Sequence, residues 1–290
     1  MASSAVRVRD LRLILEIVGE CRDLGDEAAR WTLHLAGRAA PLIDGDHTVT
    51  GFFEDRALAV VRAGTPEHGD PRGREQFVEA SGSFQVAWGW ENGFRPEAYF
   101  RLHRAVIARG EQFHPLMAAY LAARDRDDGV ALSREDVVRD PDWFRSECYR
   151  DFIEPAAAGP IVMSYRRGRH VGGSWCLIVT RTAGRPDYTA RQKAILRELN
   201  AAIAPLVGGP LAQLREPSPA ALAPRVRAVL KCFLEGDSDK QVAKRLGIST
   251  YTVNQYAKVI YRHFAVASRA ELLARWIRRG WGNRFAWADE

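Results

Sequence analysis

Four polar side chains late in the sequence have the types and spacing to bind a nucleic acid. Asn254 and Gln255 are adjacent. Lys258 and Arg262 follow Asn254 at successive intervals of four residues, which is the spacing of one side of a helix. Amide side chains can pair with an adenine edge, and a lysine can contact guanine or a phosphate. This segment therefore has the donors and acceptors that reading a DNA major groove requires.

The flanking residues predict the helices that would hold those side chains. Pro224 suits the first turn of a helix, because its missing N–H would be unpaired there. Gly236 and Gly247 are positioned to end two successive helices. Ser249 is a candidate N-cap for a third helix at about 250–264. With a closing helix after it, this order predicts an all-α four-helix helix-turn-helix domain, whose recognition helix enters the major groove.

The positive charge of the chain is concentrated in the same segment. From Pro217 onward there are thirteen Lys or Arg and six Asp or Glu, a net charge of +7, whereas the whole chain carries +6. The first 216 residues therefore carry a net charge of −1. Localised positive charge favours contact with the phosphate backbone.

From Leu222 to about Gly280 the sequence resembles the DNA-binding domain of the LuxR-type, or GerE-type, transcription regulators. Five short motifs carry the resemblance: Pro-Arg, Gly-x-Ser-x-Lys, Leu-x-Ile-Ser, Thr-Val and Ser-Arg-x-Glu-Leu. They stand here as Pro224-Arg225, Gly236 to Lys240, Leu246 to Ser249, Thr252-Val253 and Ser268 to Leu272. The last of them also forms a Ser-x-x-Glu capping box, which predicts the start of the closing helix.

The resemblance implies a role for each residue of the site. The residues expected to face bases are Asn254, Gln255 and Lys258, with Arg262 flanking them. Those expected to lie near phosphates are Lys240, Ser249, Thr252 and Arg269. Three positions depart from the family pattern: Val226 replaces a glutamate, Asn254 a lysine and Tyr256 a histidine. DNA binding is still expected, but with a target sequence that cannot be copied from relatives.

Residues 1–207 predict a separate α+β domain. Helices are expected at 6–20, 26–40, 96–124, 141–153 and 188–206, and strands at 48–53, 57–61, 161–165 and 170–181. In the first helix the apolar residues Val8, Leu11, Leu15 and Val18 share one face. An antiparallel sheet with helices packed on it resembles the GAF/PAS-type sensor domains in element order. Gly, Pro and Ser residues mark a linker at 208–221, and residues 222–290 form the DNA-binding domain with a tail expected to pack back on the protein.

Aromatic residues of the first domain suit an apolar pocket for an unknown small-molecule effector. The candidates are Trp88, Trp90, Tyr99, Trp143, Tyr149 and Trp175. Plain core packing is the alternative for each of them, which would make this domain a ligand-free oligomerisation or protein-interaction module. An acyl-homoserine-lactone receptor is a further alternative, since Asp140-Pro141 with Trp143 resembles its pocket residues.

Several other functions are not expected. The sequence has no G-x-S-x-G, H-E-x-x-H or phosphate-loop motif, so it does not predict an enzyme, and no cofactor or metal is expected. Scattered cysteines without C-x-x-C spacing fit a reducing cytoplasm, and no apolar run is long enough to span a membrane. A soluble, cytoplasmic homodimer on double-stranded DNA is expected. The closing helix, including Leu272 and Trp276, is expected to join the DNA-binding halves, and the long helices at 6–20 and 188–206 are candidates for joining the sensor halves.

Overall fold

The chain forms two compact units. The computed structural model describes residues 5–54, 76–80, 83–95, 98, 101–102, 105, 109, 113–123, 129–168, 173–213, 216–282 and 284–288. The first unit comprises Met1–Val18 and Thr32–Leu206, and the second comprises Gly19–Trp31 and Val207–Glu290. None of the helices in the described ranges is long and apolar enough to cross a membrane.

An antiparallel sheet is the centre of the first unit. Its described strands are β1 (His47–Glu54), β2 (Gln76–Ala80), β3 (Ser83–Trp88), β4 (Val130–Ser133), β5 (Ala158–Arg167) and β6 (Gly173–Thr182). They are ordered β2-β3-β1-β6-β5-β4, and each neighbouring pair is antiparallel. The predicted β1 and the β5–β6 hairpin are confirmed, whereas β2, β3 and β4 were not predicted. The predicted strand at 57–61 lies outside the described residues.

This part of the chain also has the helices α1 (Val8–Asp23), α2 (Ala28–Leu42), α3 (Pro115–Ala123), α4 (Asp140–Arg145) and α5 (Ala190–Ile203), with a π-helical turn at Tyr149–Ile153. Of these, α3 contacts β4, and α5 contacts β4, β5 and β6. Thr189 begins α5 through a capping box with Gln192. Asn200 of α5 is buried and donates to Ser164 Oγ at 3.1 Å, which fixes the helix against β5.

The α1 helix buries a different face from the predicted one. Ile14 and Ile17 are buried, and Asp10 on the same side forms an ion pair with Arg191 at 2.6 Å. The predicted apolar row is instead exposed: Val8 is 66% exposed, Leu11 44% and Leu15 69%. The helix carries two apolar rows, and periodicity alone does not show which one packs.

Four helices form the greater part of the second unit. They are α6 (Pro224–Leu234), α7 (Asp239–Leu246), α8 (Thr250–His263) and α9 (Arg269–Arg279). Ser249 and Ser268 cap α8 and α9 as predicted, each accepting a hydrogen bond from the third residue of its helix. Gly247 ends α7 with a φ of 64°, a left-handed conformation that favours glycine. The helical core contains Val229, Leu230, Phe233, Val242, Val253, Ile260, Phe264, Leu272 and Trp276.

The segment predicted as a linker is packed within the second unit. Leu211 and Ala212 are buried, and the backbone oxygen of Ala212 accepts a hydrogen bond from Trp31 Nε1 at 2.9 Å. Ser218 donates to the buried carboxylate of Glu27, and its backbone oxygen lies 2.8 Å from His263 Nε2. The described parts of this segment are therefore held by side chains that precede it in the sequence, Glu27 and Trp31, and by one that follows it, His263.

The tail after α9 also belongs to this unit. Trp281, Phe285 and Trp287 are buried in the same core as the four helices. Trp287 Nε1 donates to Asp26 Oδ2 at 2.7 Å, in the turn before α2. Burial raises the pKa of Asp26 to about 6, although the hydrogen bond from Trp287 opposes that rise. The expectation that the tail packs back on the protein is met, and its partner is a buried carboxyl group.

Candidate DNA-binding surface

One side of α8 is polar and exposed while the opposite side is buried. Asn254, Lys258 and Arg262 are exposed at intervals of four residues. Val253, Ala257 and Ile260 are buried on the other side. Because the buried row fixes the rotation of the helix, the three polar side chains point into solvent together. This is the geometry that presents side chains to a groove.

The start of α8 is built from hydroxyl groups. Ser249 Oγ accepts from Thr252 N at 3.0 Å and lies 2.8 Å from Thr252 Oγ1. The remaining free N–H groups of the first turn and the helix dipole favour an anion at this end. Ser249 and Thr252 therefore hold the end of the helix to which a phosphate would be attracted. Gln255 is half-buried beside this face.

Sequence reasoning missed one residue of this surface. Tyr251 is 72% exposed and precedes Asn254 by three residues, so it lies on the same side of α8. A tyrosine offers a hydroxyl group and an apolar ring to a groove wall. The helical spacing between Tyr251 and Asn254 was visible in the sequence, but the Thr-Val motif begins at Thr252 and does not include Tyr251.

Two predicted cationic residues differ sharply in their surroundings. Lys240 lies at the start of α7 and is exposed, so its ammonium is available to a ligand. Arg269 is committed within the domain. Its guanidinium donates to the backbone oxygen of Asp237 at 2.7 Å and to Asp239 Oδ1 at 2.8 Å, and it lies 3.7 Å from the centre of the Phe233 ring. Arg269 thus joins α9 to Asp237 and to the first residue of α7, and the phosphate contact predicted for it stays a prediction.

Arg269→Met is expected to destabilise the helical domain by about 2 kcal/mol, because two charge-assisted hydrogen bonds and a cation–π contact are lost. The salt dependence of DNA binding should keep its slope, because no phosphate contact is removed. Chemical denaturation and a salt titration of DNA binding measure the two effects. A reduced slope with unchanged stability would instead assign Arg269 to the phosphates.

The two residues of the closing helix that were predicted to join a dimer are not exposed. Leu272 and Trp276 of α9 are buried in the domain's own core. Trp276 lies 4.7 Å from Trp281 and 6.0 Å from Phe264, measured between ring centres. Ile277 is the large apolar residue that this helix exposes, at 77%. Leu272 and Trp276 are therefore not available for the contact predicted between two DNA-binding halves.

The aromatic residues predicted to form one pocket are separated by the sheet. Trp175 and Cys176 are consecutive in β6, so their side chains point to opposite faces. Cys176 shares a core with Trp143, and Tyr149 packs against that core. Trp88 lies on the Trp175 side of the sheet. It pairs with Thr48, and Thr48 pairs with Val179. Val179 is four residues after Trp175 in the same strand, so its side chain points to the same face.

Two histidines accompany the aromatic residues on the Cys176 side. His47 stacks on Phe94 at 4.7 Å and lies 4.4 Å from Trp90, while His114 lies 6.1 Å from Trp143. Burial lowers the pKa of His47 to about 3 and that of His114 to about 4, so both are neutral at pH 7. Tyr99 lies outside the described residues. The predicted pocket is thus not a single site.

Comparisons with known proteins bear mainly on the helical domain. Residues 220–275 match the family model GerE, described as bacterial regulatory proteins of the luxR family. No curated protein matches the sequence. Among solved structures, Escherichia coli SdiA is 15% identical with a TM-score of 0.37, over 93% of this chain and 98% of that one.

Two further solved structures are similar at the same low level. SdiA in complex with octanoyl-rac-glycerol is 13% identical with a TM-score of 0.40, over 95% of this chain and 97% of that one. Vibrio cholerae VqmA, a LuxR-type receptor, is 18% identical with a TM-score of 0.22, over 44% and 51%. TM-scores this low do not establish a shared overall fold. The family match and the capped helices are independent of them, and residues 220–275 therefore form a GerE/LuxR-family helix-turn-helix domain.

Proposed function

We propose that this protein is a DNA-binding transcription regulator that places α8 in the major groove. The observation that carries the proposal is the exposed row of Asn254, Lys258 and Arg262 opposite a fully packed face of the same helix. Asn254 and Gln255 would read base edges, and Lys258 would contact guanine or phosphate. Lys240, Arg262 and the α8 start at Ser249 and Thr252 would hold the backbone, with Tyr251 at the groove wall.

We further propose that the regulator is a homodimer and that its first unit responds to a signal. One recognition helix offers few base contacts, so two half-sites are needed for useful affinity. A GAF/PAS-like sensor role is supported by the antiparallel sheet with helices on it. The near-complete burial of Trp143 and Trp175 favours the alternative, in which these aromatics are core and the unit is a ligand-free module. DNA affinity that small-molecule cell extracts leave unchanged would support that alternative.

Selection from a random-sequence DNA pool by the full chain tests the main proposal. An enriched, two-fold symmetric site bound with strong salt dependence is the expected result. Salt-sensitive binding without an enriched site would remove sequence recognition from the proposal. The absence of binding at low salt would overturn it.

Lys258→Ala and Asn254→Ala are expected to differ in kind. Lys258→Ala should weaken binding to all sequences about tenfold and lower the salt slope by about 1, because one phosphate or guanine contact is lost. Asn254→Ala should chiefly relax the preference at one base pair, with a loss of about 1 to 3 kcal/mol on the preferred site. Quantitative binding to the selected site and to its single-base variants measures both effects.

Arg278→Ala is the matched control, because it removes an exposed positive charge from α9 in the same domain. It should leave base preference unchanged and weaken binding less than Lys258→Ala does. Equal, sequence-independent losses for all three variants would mean that α8 does not enter the groove.

A further inference from the structure

The recognition helix α8 leaves one aliphatic side chain exposed beside its polar residues. The structure describes every residue of α8; Val253, Ala257 and Ile260 are buried, whereas Val259 is 42% exposed. Single exposed aliphatic residues are common on protein surfaces and are not in themselves a site. A β-branched residue in the middle of an exposed helical face nevertheless favours the helix less than Ala, Lys or Gln would. What matters for Val259 is therefore where on the helix it lies.

Val259 faces as far away from the buried side of α8 as Lys258 does. Successive residues of an α-helix are about 100° apart around its axis. On that spacing both Val259 and Lys258 lie between about 100° and 160° from each of the three buried residues. Gln255 and Arg262 lie between them, about 40° and 60° from Val259. When α8 enters a major groove with Gln255 and Lys258 toward the bases, Val259 therefore enters on the same face.

We propose that Val259 contacts the 5-methyl group of a thymine in the major groove. This inference rests on the proposed function and adds one base pair to the target that α8 recognises. The base edges in the major groove present hydrogen-bond donors and acceptors, and the methyl group of thymine is their apolar group. Valine has no side-chain donor or acceptor, so against another edge it would cover a polar group without pairing it. Against a thymine methyl group both surfaces are apolar, and the contact removes both from water.

The spacing along α8 predicts where this thymine lies in the target. Val259 follows Gln255 by four residues, which is about 6 Å along the helix axis. Base pairs are stacked about 3.4 Å apart. For a helix that lies along the groove, the thymine is therefore expected about one or two base pairs from the one that Gln255 reads, toward the end of α8 that carries Arg262. Valine is short, but Gln255 and Arg262 are long and flexible and do not hold the helix away from the bases.

Replacement of thymine by uracil in the target tests this contact. Deoxyuridine forms the same base pair as thymidine but lacks the methyl group, so the donors and acceptors of the groove edge do not change. Each thymine of the site selected from the random pool is replaced in turn, in both half-sites at once, and binding of the full chain is measured. At one position the affinity should fall roughly tenfold to 25-fold, or about threefold to fivefold for each half-site, because the contact of one methyl group is lost.

Val259→Ala should remove the dependence on the methyl group. The shorter side chain does not reach it, and alanine favours the helix, so the fold is kept. The variant should bind the thymine and uracil targets within about twofold of each other. Ile277→Ala is the matched control: it shortens an aliphatic side chain that is 77% exposed on α9, and it should retain the native preference for thymine. A preference that persists in Val259→Ala, or a loss of affinity that is the same for both targets, would overturn the contact.

The failure of this inference is distinguishable from the failure of the proposed function. If Asn254→Ala relaxes base preference but every uracil-substituted target binds as tightly as its parent, the thymine contact is refuted and α8 stays in the groove. Gln255→Ala identifies the base pair that Gln255 reads, and a selected site without thymine at either predicted distance from that pair has the same meaning. A chain that selects no site refutes the proposed function, and this inference falls with it.

Discussion

Trp287→Ala is expected to destabilise the second unit by about 3 to 5 kcal/mol, the usual cost of deleting a buried tryptophan side chain. The Trp287 side chain is almost fully buried, and its ring centre lies 5.5 Å from Phe285 and 6.4 Å from Trp276. Its loss also leaves the Asp26 carboxyl without the indole hydrogen bond. Hydrogen exchange resolved to the amides of α6 and α8 should show protection lowered by roughly 100-fold or more.

Two other variants separate the causes of this loss. Trp287→Phe retains most of the buried ring but removes the N–H, so it should cost about 1 to 3 kcal/mol. Arg284→Ala changes an exposed residue of the same tail and should cost little. If Trp287→Ala behaved like Arg284→Ala, the tail would be an appendage and not part of the core. As temperature or denaturant concentration is raised, the Trp287→Ala variant should lose DNA binding earlier than the native chain does, because the buried side of α8 packs on this core.

The helical domain was predictable because its signals are local. Gly236, Gly247 and the serines at 249 and 268 end or begin helices within one turn of where they stand. The row at Asn254, Lys258 and Arg262 followed from spacing alone. Local rules did not show where a long cation finds its partners, however, and Arg269 is held by groups about thirty residues away.

The first unit was less predictable because its sheet is not local. The hairpin of β5 and β6 was visible, since both strands are apolar and adjacent in sequence. The outer strand β4 has four residues, too few for a clear alternation, and β1 pairs with β6 across more than one hundred residues. Aromatic residues such as Trp143 and Trp175 were predicted to line one pocket. The sequence does not show on which face of the sheet each of them lies, so their separation could not be foreseen.

Contacts from distant segments also explain the linker and the tail. Proline, glycine and serine predict a break in regular structure, and the described residues between 208 and 221 form no α-helix or extended strand, only a 3₁₀ turn at Pro219–Ala221. They do not predict whether the break is free or packed. Glu27 and Trp31, from the beginning of the chain, bind Ser218 and the backbone of Ala212. No periodicity near residue 210 could have indicated partners so far away in sequence.

One of these distant contacts involves the buried carboxyl group of Asp26, whose protonation makes the stability of the second unit depend on pH. Asp26 is buried, and burial raises its pKa to about 6 from the ordinary value of 3.8. The adjacent Glu27 raises it further, while Trp287 and Arg30 oppose the rise. Between these two pKa values the folded chain holds a proton that the unfolded chain has released. The free energy of unfolding therefore falls as pH rises through this range, by about 3 kcal/mol in total from this group.

Asp26→Asn is consequently expected to gain stability relative to the native chain as pH rises from about 4 to 7, by about 3 kcal/mol. Asparagine is neutral at every pH, and its side-chain oxygen can still accept the hydrogen bond from Trp287. Denaturant unfolding of both proteins at several pH values, compared as a difference, cancels the other titrating groups. Asp23→Asn is the control, because it removes a more exposed carboxylate at the end of α1 that pairs with Arg284 at 3.0 Å; it should change stability little in the same measurements. A stability difference for Asp26→Asn that stays flat would show that folding does not raise the pKa of this carboxyl. A difference that grows as pH falls would show that the carboxyl is charged and favourably paired in the folded chain, and the tail would then be held by an ionised group.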